Sequence, residues 1–429
     1  MEGLIKKALA KHKLKKFSDA RKIYLKILKK NPLHLDANYL LGTLYAEKKL
    51  LREAEHYLKK SAEINPTSPM IQVNLGNVFK LRDNIDNAEK CFLRALQLKP
   101  DLAEAHYGLG CIWQRNRKKP DQEVIKSFQK AISLNPKLAA GYQMIGCLLS
   151  KANDLKALDY FQTASQLNPS MEGLNKDIGI ALIRCGQYEE AVSKLLDAIK
   201  ESPGDVEVEY YLSIAGKNQP DTNLQQKYVQ KEFDNFAESF DHRLTHELGY
   251  DIPSKGRKML DELCGTELHF DSAVDLGCGT GLNGLAYDDY CKMMIGIDLS
   301  SKMLEKAEEH ACYNKLIQGE ICEVLAQLDL RFDLFIAMDV IVYMGQLDNL
   351  FKSIIDRAQP QALWIFSTEY YSDGDGYILQ SSGRYAYSEE YIQTLSDINT
   401  CTIKRKKLVP IRKEGNEWIR GHIYIIELP

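Results

Sequence analysis

The sequence predicts a multidomain chain in which an all-α array of stacked helix pairs precedes an α/β domain on a mostly parallel sheet. Three observations predict it. A proline-anchored motif returns about every 34 residues through roughly the first 205 positions. From about residue 270, short apolar runs alternate with helical stretches, and a glycine-rich turn follows the first run. The length, 429 residues, exceeds one ordinary core and suits two or three domains.

Composition sets the frame for both halves. With 45% hydrophobic and 27% charged residues and a mean hydropathy of -0.34, the chain is of the globular type. No window approaches a membrane span, and the lysine-rich start lacks the apolar centre of a secretory signal, so a cytoplasmic protein is expected. Ten cysteines without one CxxC pair argue against a zinc site or a disulfide framework and read as small core fillers. The net charge of -3 conceals two unlike halves. Residues 1–220 hold 35 Lys and Arg against 25 Asp and Glu, whereas residues 221–429 hold 21 against 34. Most of the positive excess lies in residues 1–30, with 11 basic residues against Glu2 and Asp19.

The repeat is carried by three ladders in one phase. Prolines stand at 32, 66, 100, 136, 169 and 203, spaced by 34, 34, 36, 33 and 34 residues. Glycines follow about ten residues later, at Gly42, Gly76, Gly110, Gly146 and Gly179. Small residues lie twelve before the prolines at Ala20, Ala54, Ala88, Ala157 and Ala191, with Val124 as the exception. Small residues allow two antiparallel helices to approach closely, Tyr24, Leu58, Phe92, Phe128, Phe161 and Leu195 fill the space beyond, and proline stops the second helix. The extra residues near Asn116 to Pro120 predict a longer inter-helix loop in the fourth unit, and Val206 to Ala215 a single capping helix. This pattern resembles the tetratricopeptide repeat in six copies, a family whose concave face binds peptides or protein segments. By family position Asn74, Asn77, Lys80, Tyr107 and Gln114 would face that groove. The basic first repeat reads either as a solubilising cap or as a surface for an acidic partner, RNA or an anionic membrane.

In the second half, the apolar runs Ala273 to Leu276, Met293 to Ile297, Leu316 to Ile317, Leu334 to Ala337 and Leu363 to Phe366 predict parallel strands covered on both faces. Thr400 to Val409 and Trp418 to Leu428 predict an antiparallel pair at the sheet edge. The first run ends in AVDLGCGTGLNG, where Gly277, Gly279 and Gly281 let the backbone turn sharply and leave main-chain atoms open to a ligand. Gly279, Gly281 and Gly284 also match the dinucleotide-binding spacing. Three features set this segment apart from the dinucleotide binders. Asp275 lies two before the first glycine, where it would repel a pyrophosphate; Asp298 ends the second strand, 17 residues after Gly281; and an antiparallel pair closes the chain.

Together these residues resemble the class I S-adenosylmethionine-dependent methyltransferases, whose sheet is Rossmann-like and seven-stranded. The segment Phe236, Ala237, Phe240, Asp241, Leu248, Tyr250, Pro253 is similar to the start of this domain in a bacterial-type family fusing tetratricopeptide repeats to a methyltransferase. So are Asp339, Tyr343, Gly345, Leu347 after the fourth strand, and Arg384, Tyr385, Ala386, Ser388, Tyr391, Leu395 after the fifth. Tyr387 departs from the family, where histidine is expected, which puts proton transfer at that position in doubt. The resemblance implies domains at 1–205 (six repeats), 206–230 (capping helix and linker) and 231–429 (methyltransferase).

It also implies roles. S-adenosyl-L-methionine would be the cofactor, its methionine moiety held by Asp275 and the Gly277 to Gly281 loop, and its ribose by Asp298. Leu299 and Met303 would cover the adenine, Glu320 would reach its amine, and Phe236 and Phe240 would close over the sulfonium. Asp339 and Tyr343 are the first candidates for catalytic groups at the acceptor, followed by Glu369 and Arg384; no metal is expected. The reading is a methyltransferase whose repeats recruit a protein or carrier-bound acceptor. The alternatives are a non-catalytic scaffold with a cofactor-binding module, and an RNA methyltransferase. The acidic second half argues against nucleic acid as partner.

Overall fold

The structure is a computed structural model; it describes all residues except 117–118, 217, 219, 238–239, 243, 245–247, 266–268, 373 and 415–416. It contains two compact units, one of residues 1–149 with 156–171 and the other of 150–155 with 172–429. Among the described residues no helix is long and apolar enough to cross a membrane.

The first unit is a run of antiparallel helix pairs: α1 (Glu2–Lys13) with α2 (Phe17–Lys30), α3 (Leu35–Glu47) with α4 (Leu51–Ile64), α5 (Pro69–Leu81) with α6 (Ile85–Leu98), α7 (Ala103–Asn116) with α8 (Asp121–Leu134), and α9 (Ala139–Lys151) with α10 (Ala157–Leu167). The glycine and large-residue ladders interlock one to one. A Cβ on Gly42 would lie 2.7 Å from Leu58, on Gly110 2.5 Å from Phe128, and on Gly146 2.7 Å from Phe161. Phe92 is held twice, by Gly76 of its own pair and Gly108 of the next. Ala20, Ala54, Ala88, Val124 and Ala157 are all buried. After the second helix the asparagine before proline turns the chain: the side-chain oxygens of Asn31, Asn65 and Asn135 accept from the N–H of Leu33, Thr67 and Lys137. Within the pairs, Lys15, Lys49 and Asp83 adopt positive φ at a spacing of 34. The sequence reading did not anticipate this second turn, because lysine and aspartate carry no obvious mark of it.

The two residues added in the fourth unit are shared between helix and loop. α7 runs 14 residues where α3 and α5 run 13, and α8 starts only at Asp121. Arg117 and Lys118 of that insertion lie outside the described residues. On the first helices of successive pairs, Asn74 donates to the Tyr39 hydroxyl at 2.7 Å and the Lys80 ammonium sits 5.8 Å from the Tyr107 ring centre.

The second unit begins with helices. They are α11 (Leu174–Arg184), α12 (Tyr188–Glu201), α13 (Val206–Ala215), α14 (Thr222–Phe236), the short α15 (Phe240–His242) and α16 (Ile252–Cys264). This compact unit therefore starts well before residue 231, taking in the sixth pair and the capping helix. Strands and helices then alternate: β1 (Ala273–Leu276), α17 (Leu282–Tyr287), β2 (Met294–Asp298), α18 (Ser301–Glu309), β3 (Lys315–Gln318), α19 (Ile321–Gln327), β4 (Phe332–Ala337), α20 (Asp348–Ile355) and β5 (Ala358–Tyr370). The chain ends with the hairpin β6 (Tyr377–Leu379) and β7 (Tyr385–Tyr387), α21 (Glu389–Ile398), β8 (Thr402–Glu414) and β9 (Glu417–Glu427).

The main sheet runs β3-β2-β1-β4-β5-β9-β8, with β1 to β5 parallel and β8 and β9 antiparallel to their neighbours. Alternate residues feed two cores: Trp364 and Phe366 of β5 pack on one face with Phe335 and Tyr424, and Leu363 and Ile365 on the other with Leu334 and Ile423. That double burial explains why the parallel strands read as unbroken apolar runs. The seven strands expected are present, and β6 and β7 are two more. β5 is 13 residues long and outruns β4, whose last partner is Phe366; β7 pairs with Glu369 and Tyr370 on the strip beyond. The strand β7 is only three residues long, too short to show a periodicity in the sequence.

Candidate active site

Two groups of residues meet at the carboxyl ends of the parallel strands, where open α/β sheets bind ligands. The first is the glycine loop after β1. Gly277, Gly279 and Gly281 all take positive φ. At Gly277 a side chain is excluded as well as disfavoured, since a Cβ would fall 2.3 Å from Val340 in the loop after β4. Gly284, one turn into α17, leaves room for Tyr313, whose ring would be 2.6 Å from an added Cβ.

Asp275 is fully buried behind this loop. Its carboxylate accepts from Asn283 at 2.9 Å and from the Tyr313 hydroxyl at 2.7 Å, and that hydroxyl in turn accepts from the Gly284 N–H at 3.0 Å. Burial pushes the Asp275 carboxyl up to about 7, against the two hydrogen bonds. Asp275 thus supports the loop from beneath, with protein partners on both oxygens.

Asp298, at the end of β2, accepts from the Gly279 N–H at 2.9 Å and the Ser300 N–H at 2.8 Å. Burial raises its carboxyl, opposed by these backbone bonds. A carboxylate offers about four acceptor positions, so capacity remains for a diol. Leu299 beside it is half-buried. Met303 differs from the sequence expectation: it is fully buried with Leu304 and Ala307 on α18, because the helix starting at the Ser300 cap turns it inward. Glu320 caps α19, accepting from the Glu323 N–H at 2.9 Å, so the longer side chain curls back onto its own helix.

Aromatic rings bound the loop on its far side. Phe240 lies 3.9 Å from the position of a Cβ on Gly279, and Phe233 of α14 contacts Phe240 edge-on at 5.7 Å between ring centres. Phe233 also meets Tyr343 at 5.3 Å. Phe236 is half-buried at the end of α14. Asp241 accepts from the Thr280 hydroxyl, and Asp234 from the Ser300 hydroxyl at 2.6 Å. Phe233, Asp234, Asn283 and Tyr313 were missed from the sequence, since nothing in their local pattern differs from ordinary helix or loop.

The second group is a buried charge network after β4 and β5. Asp339 has positive φ, and its N–H donates to the Ser367 hydroxyl at 2.8 Å. Arg384 binds the Asp339 carboxylate, donates to the Tyr343 hydroxyl at 2.7 Å and sits 2.8 Å from Glu369. Arg412 reaches Glu369 at 3.0 Å, and Gln380 donates to its other oxygen at 3.1 Å. Two carboxylates thus face two guanidinium groups, with Asp339 and Arg384 each 12% exposed. Burial raises the Asp339 carboxyl against the pull of Arg384 and Arg412, and burial likewise raises the Tyr343 hydroxyl.

All four acceptor-side residues expected from sequence meet here, while Arg412 and Gln380 were not anticipated. Tyr387, in place of a histidine, points at backbone: its hydroxyl lies within reach of the carbonyls of Ile341, Met344 and Gly345 and anchors that turn.

Comparisons with known proteins find both kinds of domain. Residues 273–361 match the family model of a methyltransferase domain, and residues 5–69 and 71–102 match models of the tetratricopeptide repeat. The repeat half is similar to anaphase-promoting complex subunit 3 of Dictyostelium discoideum, 33% identical over 99 residues, which are 23% of this chain and 10% of that protein. Another similar protein is the mitochondrial ubiquinone biosynthesis O-methyltransferase of Saccharomyces cerevisiae, 27% identical over 95 residues, 21% of this chain and 30% of that one. The N-methyltransferase NodS from Bradyrhizobium japonicum, solved with S-adenosyl-l-homocysteine, is 13% identical with a TM-score of 0.37, covering 48% of this chain and 98% of its own. The chain spans between 10% and 42% of the curated relatives it matches.

The matched family defines the class of the second half: residues 273–361 form a methyltransferase domain on the α/β sheet. The chain is a fusion of such a methyltransferase domain to tetratricopeptide repeats.

Proposed function

We propose that this protein transfers the methyl group of S-adenosylmethionine to a protein or carrier-bound acceptor that the repeats bring to the site. The carrying observation is the adjacency of a glycine loop with a ribose-competent carboxylate and the Asp339, Tyr343, Arg384 network, joined where Val340 packs on Gly277. S-adenosylmethionine supplies an electrophilic methyl on a sulfonium. The Gly277 to Gly281 backbone would hold its methionine end, supported by Asp275 from below; Asp298 would accept from the ribose hydroxyls, with Leu299 against the adenine. Phe240 and Phe233 shield the reacting position from water, which favours a displacement that loses charge.

Asp339 and Tyr343 face the acceptor. Arg384 holds both, so they orient an acceptor before either takes a proton. The domain partition that goes with this reading is six repeats in 1–205, a capping helix and linker in 206–230, and the transferase in 231–429. The likeness of residues in this chain to an O-methyltransferase supports the chemistry and leaves the acceptor open.

The test is transfer from radiolabelled S-adenosylmethionine into a cell lysate by the full chain. Label in protein or carrier-bound product is expected, and Lys80→Glu with Asn74→Ala in the repeats is expected to reduce it several-fold without weakening cofactor binding. Equal labelling by that variant rules out recruitment through this face, label only in RNA rules out the acceptor class, and no cofactor binding rules out the enzyme.

A further inference from the structure

One helix, α14, touches both groups of the site. Gln225 donates to the Tyr343 carbonyl, Phe233 packs edge-on against the Tyr343 ring, and Asp234 accepts from Ser300 beside Asp298. Its Tyr228 ring stacks on Tyr210 of α13 at 3.9 Å with an interplanar angle of 5°, and its hydroxyl meets that of Tyr211 at 3.3 Å. Tyr210 is fully buried, and its hydroxyl donates to the carbonyl of Gly383 at 2.8 Å.

Gly383 stands immediately before Arg384, in the turn that closes the β6–β7 hairpin: its N–H donates to Gln380 at 2.9 Å, and the Gln380 N–H to the Arg384 carbonyl at 2.8 Å. It has positive φ, and a Cβ there would lie 3.2 Å from the Tyr210 ring. The capping helix and α14 therefore grip the two segments that present Tyr343 and Arg384, one through Gln225 and Phe233, the other through Tyr210. Salt bridges tie this pair back to α11: Asp205, the N-cap of α13, meets Lys176 at 3.5 Å and Lys231 of α14 at 2.9 Å.

We infer that α13 and α14 are a brace belonging to the transferase itself, with Tyr210, Tyr228 and Gln225 as positioning residues that fix Tyr343 and Arg384 relative to each other. The inference rests on the reading of that pair as the acceptor side of the site. It gives the segment 206–230 a second task beyond capping the repeats: the acceptor site is completed by residues that precede the transferase boundary.

The test uses the full chain with Tyr210→Phe, which removes one hydroxyl from a stacked ring, and Gln225→Leu. Hydrogen exchange in the absence of any acceptor is the first readout. Tyr210→Phe should speed exchange about tenfold across residues 376–388, as the loss of one buried hydrogen bond predicts, and Gln225→Leu across 339–347. Residues 276–284 and the affinity for S-adenosylhomocysteine should not change.

The second readout is the pH profile of methyl transfer into lysate protein. Asp339 is faced by Arg384, Arg412, Glu369, Tyr343 and Tyr250. Loosening Arg384 leaves the buried Asp339 carboxyl easier to protonate, so the acid limb moves to higher pH. A purely structural role would lower Tm and leave that limb in place. Unchanged exchange in both variants, or an unmoved acid limb, overturns the brace. If the wild type transfers no methyl, the acceptor-site reading falls, while the exchange result still decides whether the brace holds Arg384 and Tyr343.

Discussion

The two halves of the site are held by different physics. On the β1–β2 side, backbone conformation dominates: three glycines at positive φ, one carboxylate beneath them and one beside them, all within 24 consecutive residues. On the β4–β5 side, charge dominates, and the groups come from widely separated places: Asp339, Glu369, Arg384 and Arg412 are brought together by β5, β8 and the β6–β7 hairpin. A backbone-built site tolerates changes in its surroundings but not in its own φ angles. A charge-built site stays in balance only while every member is present, because a buried charge that loses its partner keeps its desolvation penalty.

The sharpest way to break this contrast is Arg384→Met. It strands Asp339, leaves Glu369 with Arg412 and Gln380, and should cost about 3–5 kcal/mol of stability, read as a large fall in Tm, with S-adenosylhomocysteine binding retained by molecules that remain folded. Gly277→Ala comes next. Strain at positive φ together with the collision with Val340 should cost roughly 2–4 kcal/mol, and here cofactor binding should be lost even at temperatures where the protein is folded. If Gly277→Ala binds normally, the loop is less backbone-defined than the contrast holds. Asp298→Asn replaces one of the two oxygens that accept from the Gly279 and Ser300 N–H groups by a donor, so it should lower stability by about 1–3 kcal/mol. It should also weaken S-adenosylhomocysteine by roughly 10- to 100-fold, the effect of about 1.5–3 kcal/mol for hydrogen bonds to a charged group, measured by calorimetry.

Asp275 offers a pH test of the same contrast. With its carboxyl raised to about 7, the folded state retains a proton that the unfolded chain gives up near the ordinary carboxylate value. Its stabilisation is full below that ordinary value and is lost as pH rises through about 7. Asp275→Asn stays neutral throughout, so the Tm of the variant minus that of the wild type should rise between pH 4 and pH 8. A flat difference would mean Asp275 is ionised in the folded protein at all these pH values. The smallest effect is Tyr387→Phe, about 1 kcal/mol for one hydrogen bond, with faster local hydrogen exchange at 341–345 and no new pH limb, as suits an anchor rather than a proton carrier.

Legibility in the sequence follows the same division. The glycine ladder of the repeats, the parallel strands, Gly277 to Gly281 and Asp298 were readable because each depends on residues near one another in the chain. The interlock of Gly110 with Phe128 was readable too, since the 34-residue phase repeats it. Arg412 was not, for it lies 43 residues from Glu369 on an edge strand whose pattern looks like any other basic strand. Tyr210 lies in the capping helix the sequence predicts, but that its hydroxyl reaches across 173 residues to Gly383 is a fact of tertiary folding alone. The local setting of Met303 and Glu320 was not legible, as helix capping at Ser300 and Glu320 decides where these side chains point.

The overhang of β5 has a consequence for how such an enzyme changes. Four residues, Ser367 to Tyr370, extend past the last partner on β4, about 13 Å of strand at the usual rise. This ledge carries Ser367 and Glu369 and lends an edge to the hairpin that brings in Arg384. A hairpin seated on a ledge can be lengthened, shortened or exchanged without moving a rung of the central sheet. On the proposed reading of this side as the acceptor site, retargeting to a new acceptor would then begin with the β6–β7 hairpin, keeping Arg384, while the glycine-loop side stays as it is.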